Sequence, residues 1–233
     1  MALPEVASRE QWLEARLRLL EMEKEVTRRR DAVSAERRRL PMVRVEKEYV
    51  FDGPAGTVTL ADLFGDRMQL VVQHIMFGPE WDAACPVCTQ FMSELSPAVL
   101  DRLREHQTAY VLVSRAPLAT LEAYQASHGW SLPWYSSHGS DFNYDFQVTL
   151  DQPREQLTYN YRPAARLLGG ESSTEMPGAS CFLRDGGEIF HTYSAYARGL
   201  DHVDQSYAFL DLTALGRQEA WEEPRDRVPQ PPA

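Results

Sequence analysis

Residues 69–88 read QLVVQHIMFGPEWDAACPVC, an apolar run followed by a polar loop and then by two cysteines separated by two residues. Apolar residues continue at spacings of three and four beyond the second cysteine, at Phe91, Met92, Leu95, Val99 and Leu103. The order predicts a strand, a loop and a helix that begins at the cysteines. With Cys85 as N-cap, Pro86 occupies the first helical position, where a missing N–H costs nothing.

This geometry predicts a reactive thiol. The free amides and the positive end of a helix stabilise a thiolate, and lowering a thiol pKa from about 8.5 to about 7 makes roughly half of it ionised at neutral pH. We therefore predict that Cys85 is a nucleophile. Cys88, one turn later on the same face, can resolve a mixed disulfide formed on Cys85.

Two other interpretations of the cysteines stay open. They could be half of a zinc site, but a structural zinc needs four ligands, and Cys181 is the one remaining cysteine. They could also be inert and buried. We favour the redox pair and predict no metal and no other cofactor, with Cys181 as a buried core residue of a strand.

Charge and hydropathy narrow the class of partner and the compartment. The chain has 233 residues and a formal charge of −10. Residues 1–40 carry ten Lys/Arg and eight Asp/Glu, net +2, so the remainder carries −12. An acidic body argues against nucleic acid or an anionic membrane as partner. With no signal peptide and no apolar segment of about 20 residues, we expect a cytosolic protein, neither secreted nor membrane-spanning.

The first 41 residues predict a helical arm. Ser8 and Gln11 form a capping-box signature, and no glycine or proline follows before Pro41. A thin apolar stripe recurs every seven residues, at Trp12, Leu19, Val26, Val33 and Leu40. A helix of this length is longer than a compact body of the remaining chain, so it either overhangs that body or packs against a second chain. We favour a homodimer contact.

The rest of the chain is predicted to consist of an α/β domain, residues 42–216, and a disordered proline-rich tail, residues 217–233. The cysteine-bearing helix is expected to kink at Pro97. Further predicted strands are a half-buried one over 43–51, one over 109–113, and a hairpin of 180–183 with 188–193. A helical turn is predicted over 59–64, helices over 117–128 and 203–215, a structured loop over 130–146 and an irregular insertion over 147–176. A parallel β-α-β unit followed by a hairpin and a closing helix predicts a thioredoxin-like, three-layer α/β/α fold with a long N-terminal helical extension.

The sequence also resembles known families. The run GTVTLADL (56–63), the apolar strand and the Cys-Pro-x-Cys pair resemble the peroxiredoxin and thiol-reductase branch of the thioredoxin superfamily. Closer is the resemblance to a bacterial thioredoxin-like family of unassigned function, domain of unknown function 899. The segments that carry it are ERRRLP (36–41), MFGPEW (76–81), CPVC (85–88), VSRAP (113–117), GSDFNYDF (139–146), FHTYSAYARG (190–199) and LDLTALGR (210–217).

The resemblance assigns candidate roles around the cysteines. Trp81, four residues before Cys85, matches the tryptophan of the thioredoxin active-site loop, and Trp81, Asp82 and Pro86 are expected to shape the site. Thioredoxins carry a buried acid six residues before the first cysteine, where this chain has Pro79, so Glu80 or Asp82 would have to supply any base. Peroxiredoxins carry Thr or Ser where Asp82 stands.

We interpret the chain as a thiol–disulfide oxidoreductase that acts on an unknown disulfide or small molecule and is recycled by a thiol reductant. A bolder hypothesis is that a polar substrate binds near Cys85 through six residues of two short segments: His138, Asp141, Tyr144, His191, Tyr193 and Arg198. The alternatives are a peroxiredoxin-like thiol peroxidase, a non-catalytic dimeric module, and a metal-binding or redox-sensing protein.

Overall fold

A computed structural model describes residues 4–152, 157–217, 219 and 221–222. The chain forms two units, one of residues 42–201 and one that joins residues 1–41 to residues 202–233. The sequence-based division had placed residues 202–216 with the α/β domain, and its boundaries stay a prediction. Apart from residues 217, 219, 221 and 222, the predicted proline-rich tail lies outside the described residues.

The unit of residues 42–201 is built on a mixed sheet. Its strands, together with those of two small sheets, are β1 (Val43–Arg44), β2 (Val50–Gly53), β3 (Gly56–Thr59), β4 (Gln69–His74), β5 (Thr108–Ser114), β6 (Trp134–Ser136), β7 (Thr149–Asp151), β8 (Thr158–Tyr159), β9 (Arg162–Pro163), β10 (Ser173–Glu175), β11 (Gly178–Asp185) and β12 (Glu188–Tyr196). Eight of them form the large sheet in the order β1-β12-β11-β4-β5-β6-β2-β3. The central strands β4, β5 and β6 are parallel, and β11 runs antiparallel to β4 and β12. A β-α-β unit joined to an antiparallel hairpin is the predicted thioredoxin-like topology, and the fold class is confirmed.

The α-helices are α1 (Arg9–Arg37), α2 (Pro86–Glu94), α3 (Pro97–Glu105), α4 (Leu118–His128), α5 (Phe142–Asp145) and α6 (Gln205–Leu210). Pro97 was expected to kink one helix, but it separates two. Leu95 is extended, and Ser96 caps α3 by accepting a hydrogen bond from the amide of Val99. Proline lacks the N–H that would continue α2, and its ring would clash with the preceding turn.

The two faces of the large sheet carry separate cores. Val111 and Val113 of β5 pack with Phe142 and Phe182, whereas Leu112 between them packs with Trp134, Cys88 and Met92. Because consecutive side chains of a strand point to opposite faces, the two clusters lie on opposite sides of the sheet. The cysteines therefore share the face that α2 covers.

The strand predicted over 43–51 is two strands, because the pattern breaks at Lys47. Its ammonium binds the carboxylates of Asp141 at 2.8 Å and Asp145 at 2.7 Å, and the segment between β1 and β2 is not part of either strand. The other short elements agree better with expectation, since the helical turn appears as a 3-10 helix at Asp62–Phe64.

The loop predicted over 130–146 was also wrong, because it contains β6 and α5. A three-residue strand is too short to show a period, and β6 is fixed by parallel pairing with β5. The predicted irregular insertion over 147–176 contains two small sheets, β7 with β10 and β8 with β9, and a 3-10 helix at Ala165–Leu168. It has a core of its own: Val148, Leu150, Tyr159, Ala164, Leu168 and Tyr196.

The other unit contains α1 and α6. Ser8 caps α1 with the predicted capping box, and every residue of this described helix is at least partly exposed. The helix predicted over 203–215 is shorter, with α6 at Gln205–Leu210. Across the described residues, every helix is too short or too polar to span a lipid bilayer.

Candidate active site

Cys85 is the N-cap of α2, and Pro86 occupies the first helical position, as predicted. The loop from β4 returns so that the amide of Cys85 donates to the carbonyl of Met76 at 2.9 Å. The carbonyl of Cys85 accepts from the amide of Thr89 at 2.9 Å, the first bond of the helix. Cys85 is thus held between the end of β4 and the start of α2.

The surroundings of Cys85 favour its thiolate. Its pKa is lowered to about 5, chiefly by a hydrogen bond from the thiol of Cys88. Burial opposes this shift, and hydrogen bonds from the amides of Cys88 and Val87 add to it. These amides belong to the first turn of α2, whose N–H groups have no partner within the helix. Cys85 is partly exposed, so this thiolate is within reach of solvent.

Cys88 has the opposite environment. It is 8% exposed, and its pKa is raised by the hydrogen bond it donates to Cys85 and by burial, although the amide of Met76 opposes the rise. Neither cysteine is in a disulfide. The pair therefore consists of an acidic, reachable sulfur and a buried one that keeps its proton.

The loop before Cys85 contributes apolar surface next to it. Trp81 belongs to the same core cluster as Cys85, and its indole lies so close to Gly78 that a Cβ there would meet Nε1 at 3.0 Å. Asp82 and Pro86 are exposed.

A hydroxyl pair supports the first turn of α2. Thr89 donates to the carbonyl of Cys85 at 3.1 Å, and its hydroxyl lies 2.8 Å from that of Tyr124 on α4. Tyr124 packs edge-on against Phe77. These contacts link α4 to the backbone of Cys85, and no local sequence pattern predicts them.

The strand beside the cysteines begins next to a proline. β11 begins at Gly178, so Pro177 directly precedes it. The carbonyl of Pro177 accepts a hydrogen bond from Tyr159 at 2.7 Å. Tyr159 was missed because it lies in the segment predicted to be irregular.

Three of the candidate substrate-binding residues cluster around α5. His138 Nδ1 lies 3.3 Å from the carbonyl of Arg115, Asp141 binds Lys47, and Tyr144 is covered by the guanidinium of Arg115 at 4.7 Å from its ring centre. Their role in binding a substrate stays a prediction.

The remaining candidates lie on β12 and just after it. His191 packs against Phe146 and Phe182, on the face of the sheet opposite α2. Arg198 pairs with Asp201 at 3.3 Å, and Tyr193 lies opposite Cys181 on β11. Cys181 itself is partly exposed rather than fully buried. Among the described residues, no three histidine, cysteine, aspartate or glutamate side chains are grouped as metal ligands.

Comparison with known sequences assigns a family. The family model described as "Bacterial protein of unknown function (DUF899)" matches residues 1–229. No protein of curated function is significantly similar in sequence.

Comparison with solved structures finds distant likenesses. A structure of Xanthomonas campestris peroxiredoxin Q is 16% identical over 71% of this chain and 90% of its own, with a TM-score of 0.45. Mycobacterium tuberculosis peroxidoxin BcpB is 13% identical over 72% and 93%, with a TM-score of 0.46. A putative protein disulfide isomerase from Bacteroides thetaiotaomicron is 18% identical over 72% and 90%, with a TM-score of 0.39. At these values the likeness concerns the fold alone.

Proposed function

The chain belongs to the bacterial protein family of unknown function DUF899, and from the geometry of its cysteine pair we propose that it is a thiol–disulfide oxidoreductase. Cys85 is the nucleophile and Cys88 the resolving thiol. The observation that carries the proposal is the pairing of a partly exposed, acidic Cys85 with a buried thiol that donates a hydrogen bond to it.

The first step uses the thiolate of Cys85. It attacks one sulfur of a substrate disulfide, the substrate S–S bond breaks, and one thiolate leaves as a mixed disulfide forms on Cys85. At neutral pH a thiol with a pKa of about 5 is almost wholly ionised, so no base is needed. Accordingly, neither Glu80 nor Asp82 is required to take a proton from Cys85.

The second step uses Cys88. Formation of the mixed disulfide removes the negative charge of Cys85, which had kept Cys88 protonated. Cys88 then loses its proton to the departing substrate thiolate and attacks the sulfur of Cys85. The Cys85–Cys88 disulfide forms, and the second substrate thiol leaves. The pair has given two electrons to the substrate, and an external dithiol restores both thiols by the reverse sequence.

The test is equilibration of the reduced protein with mixtures of oxidised and reduced glutathione, followed by acid quenching and mass measurement. The wild-type chain is expected to form an internal disulfide with a defined midpoint. Cys88→Ser is expected to stop at a glutathione adduct on Cys85, and Cys85→Ser to form neither. The proposal would be contradicted by a wild-type chain that forms no internal disulfide, or by a Cys85→Ser variant that reacts like wild type.

A thiol peroxidase is the second candidate, because an acidic, partly exposed thiolate also suits attack on a peroxide. Hydrogen peroxide consumption by the reduced protein, with and without Cys85, separates the two activities. Rapid Cys85-dependent consumption would favour the peroxidase. Consumption no faster than that of a free thiol leaves disulfide exchange as the function.

A further inference from the structure

The hydroxyl of Tyr159 joins two backbone segments beside the cysteine pair. It donates to the carbonyl of Pro177 at 2.7 Å and accepts from the amide of Ala197 at 2.8 Å. Tyr159 is 7% exposed, and its ring packs edge-on against Tyr196. The phenol thus connects the residue before β11 with the residue after β12.

The backbone around Tyr159 is held in an unfavourable conformation. Asn160 and Tyr161, which form the turn between β8 and β9, have φ of 52° and 61°, and Ala197 has φ of 48°. Residues other than glycine seldom occupy this region, and they stay there when surrounding contacts impose it. Tyr159 directly precedes this turn and its hydroxyl binds the amide of Ala197, so one side chain links the two sites of positive φ.

The strand register places this link next to the thiols. Gly178 of β11 lies opposite His74 of β4, so Pro177 is level with Ile75, the neighbour of Met76. The amide of Met76 contacts the sulfur of Cys88. Burial raises the pKa of Tyr159 to about 12, and the sulfur of Cys88 is close enough to contribute to that rise.

We propose that Tyr159 is a positioning residue of the dithiol site, fixing Pro177 beside Cys88 so that the buried thiol stays directed at Cys85. This inference rests on the proposed function of the pair. Loss of the Tyr159 hydroxyl leaves the carbonyl of Pro177 and the amide of Ala197 without a partner, which loosens the strand beside Cys88. The hydrogen bond from Cys88 to Cys85 then weakens, and the Cys85 thiolate becomes less stable.

The chain offers a matched control on the same hairpin. The hydroxyl of Tyr161 donates to the carbonyl of Ser194 at 3.2 Å and does not contact Pro177 or Ala197. Tyr161→Phe therefore removes a hydroxyl from the same hairpin and leaves both hydrogen bonds of the Tyr159 hydroxyl in place.

The experiment measures the rate of Cys85 alkylation by iodoacetamide against pH in the wild type, Tyr159→Phe and Tyr161→Phe. Cys85 labelling in Tyr159→Phe is expected to fall about twofold at pH 5, where the wild-type thiol is about half ionised and a small rise of its pKa lowers the thiolate fraction. Tyr161→Phe should match wild type. Equal titrations in the two variants would overturn the inference. A wild-type thiol that titrates like a free cysteine would instead overturn the proposed function itself.

A second measurement needs no variant and decides the matter if Tyr159→Phe does not fold. In the wild-type protein, the amide resonance of Ala197 is expected to shift when the Cys85–Cys88 pair is oxidised, because Tyr159 connects that amide to the strand beside Cys88. The amide of Gly187, at the far end of the β11–β12 hairpin, serves as the control. An Ala197 resonance that moves no more than that of Gly187 on oxidation would contradict the coupling.

Discussion

The thiol of Cys88 donates a hydrogen bond to the sulfur of Cys85 one helical turn earlier, and this contact is the largest cause of the low pKa of Cys85. The same contact raises the pKa of Cys88. One hydrogen bond therefore gives two identical side chains opposite pKa shifts, so that Cys85 is a reactive thiolate while Cys88 stays protonated. This difference lasts until Cys85 is consumed in a mixed disulfide.

Removal of that donor should make Cys85 less acidic. Cys88→Ala eliminates the strongest contribution to the low pKa but keeps the amides of the first turn of α2. The midpoint of Cys85 alkylation is expected near pH 5 in the wild type and at a clearly higher pH in Cys88→Ala. Cys181→Ala, which alters a cysteine on β11, should titrate like wild type. Superimposable curves for wild type and Cys88→Ala would contradict this assignment.

The sequence was sufficient to predict the centre of this site, because each step there is local. A proline after a cysteine fixes the start of α2, and the apolar run before it fixes β4. The supporting contacts could not be predicted in this way. Tyr159 reaches Pro177 across 18 residues of chain and Ala197 across 38, and no local pattern encodes such pairings.

The short elements escaped prediction for a related reason. The strand β6 has three residues and exists because β5 offers a parallel partner. The two-residue strands β8 and β9 depend on a turn with positive φ at Asn160 and Tyr161, where asparagine is the one recognisable signal. Tertiary pairing, and not local propensity, decides such segments.

Gly178 should not tolerate a side chain. A Cβ at this position would meet Cγ1 of Val148 at 2.8 Å and Cδ1 of Tyr196 at 3.0 Å. Gly178→Ala is expected to lower the free energy of unfolding by about 1–3 kcal/mol, the usual cost of overpacking a core. Gly199→Ala is the control, because its Cβ would have a neighbour at an ordinary 3.7 Å. Urea unfolding of both variants measures the difference, and equal stabilities would refute the close approach.

Replacement of Arg115, the cation paired with buried Glu175, should lower the free energy of unfolding. Glu175 is 3% exposed and accepts hydrogen bonds from Arg115 at 3.0 Å and Thr149 at 2.6 Å. Burial raises the pKa of Glu175, and Arg115 opposes that rise. Arg115→Met would leave a buried carboxylate without its cation, which typically costs about 3–5 kcal/mol.

The matched control for this pair is exposed. Arg102 and Glu105 form an ion pair at 2.8 Å on the surface of α3, and Arg102→Met is expected to change the free energy of unfolding by less than about 0.5 kcal/mol. If the two arginine variants lose similar stability in urea, the buried pair has no special role.

The apolar stripe of α1 should mediate self-association. Trp12, Leu19, Val26 and Val33 are 48–57% exposed. A second copy of the helix packed against this apolar stripe would bury these side chains. Light scattering is expected to find a dimer for wild type and a monomer for Val26→Asp. Thr27→Asp introduces the same charge beside the stripe and should stay dimeric. A wild-type chain that is monomeric at tens of micromolar would rule out the contact.

The buried His74, the last residue of β4, should make the protein less stable in acid. His74 Nε2 lies 2.9 Å from the hydroxyl of Ser180, which lies 2.9 Å from that of Ser194, and Ser194 lies 2.8 Å from His191 Nε2. Burial lowers the pKa of His74 to about 3, with His191 adding to the effect. The folded protein therefore keeps His74 neutral, whereas the unfolded chain protonates it below a pH of about 6.5.

The sign of the pH dependence follows from this difference. The unfolded state takes up a proton as the pH falls through about 6.5 and the folded state does not, so stability is lost on acidification. Between pH 7.5 and pH 5 the free energy of unfolding should fall by about 2 kcal/mol from His74 alone. His74→Leu places an apolar side chain of similar size against Phe142. Its free energy of unfolding should fall by about 2 kcal/mol less than that of the wild type over this interval. Groups common to both proteins cancel in the comparison, so identical pH dependence of wild type and His74→Leu would show that His74 takes up its proton at the same pH in the folded protein as in the unfolded chain.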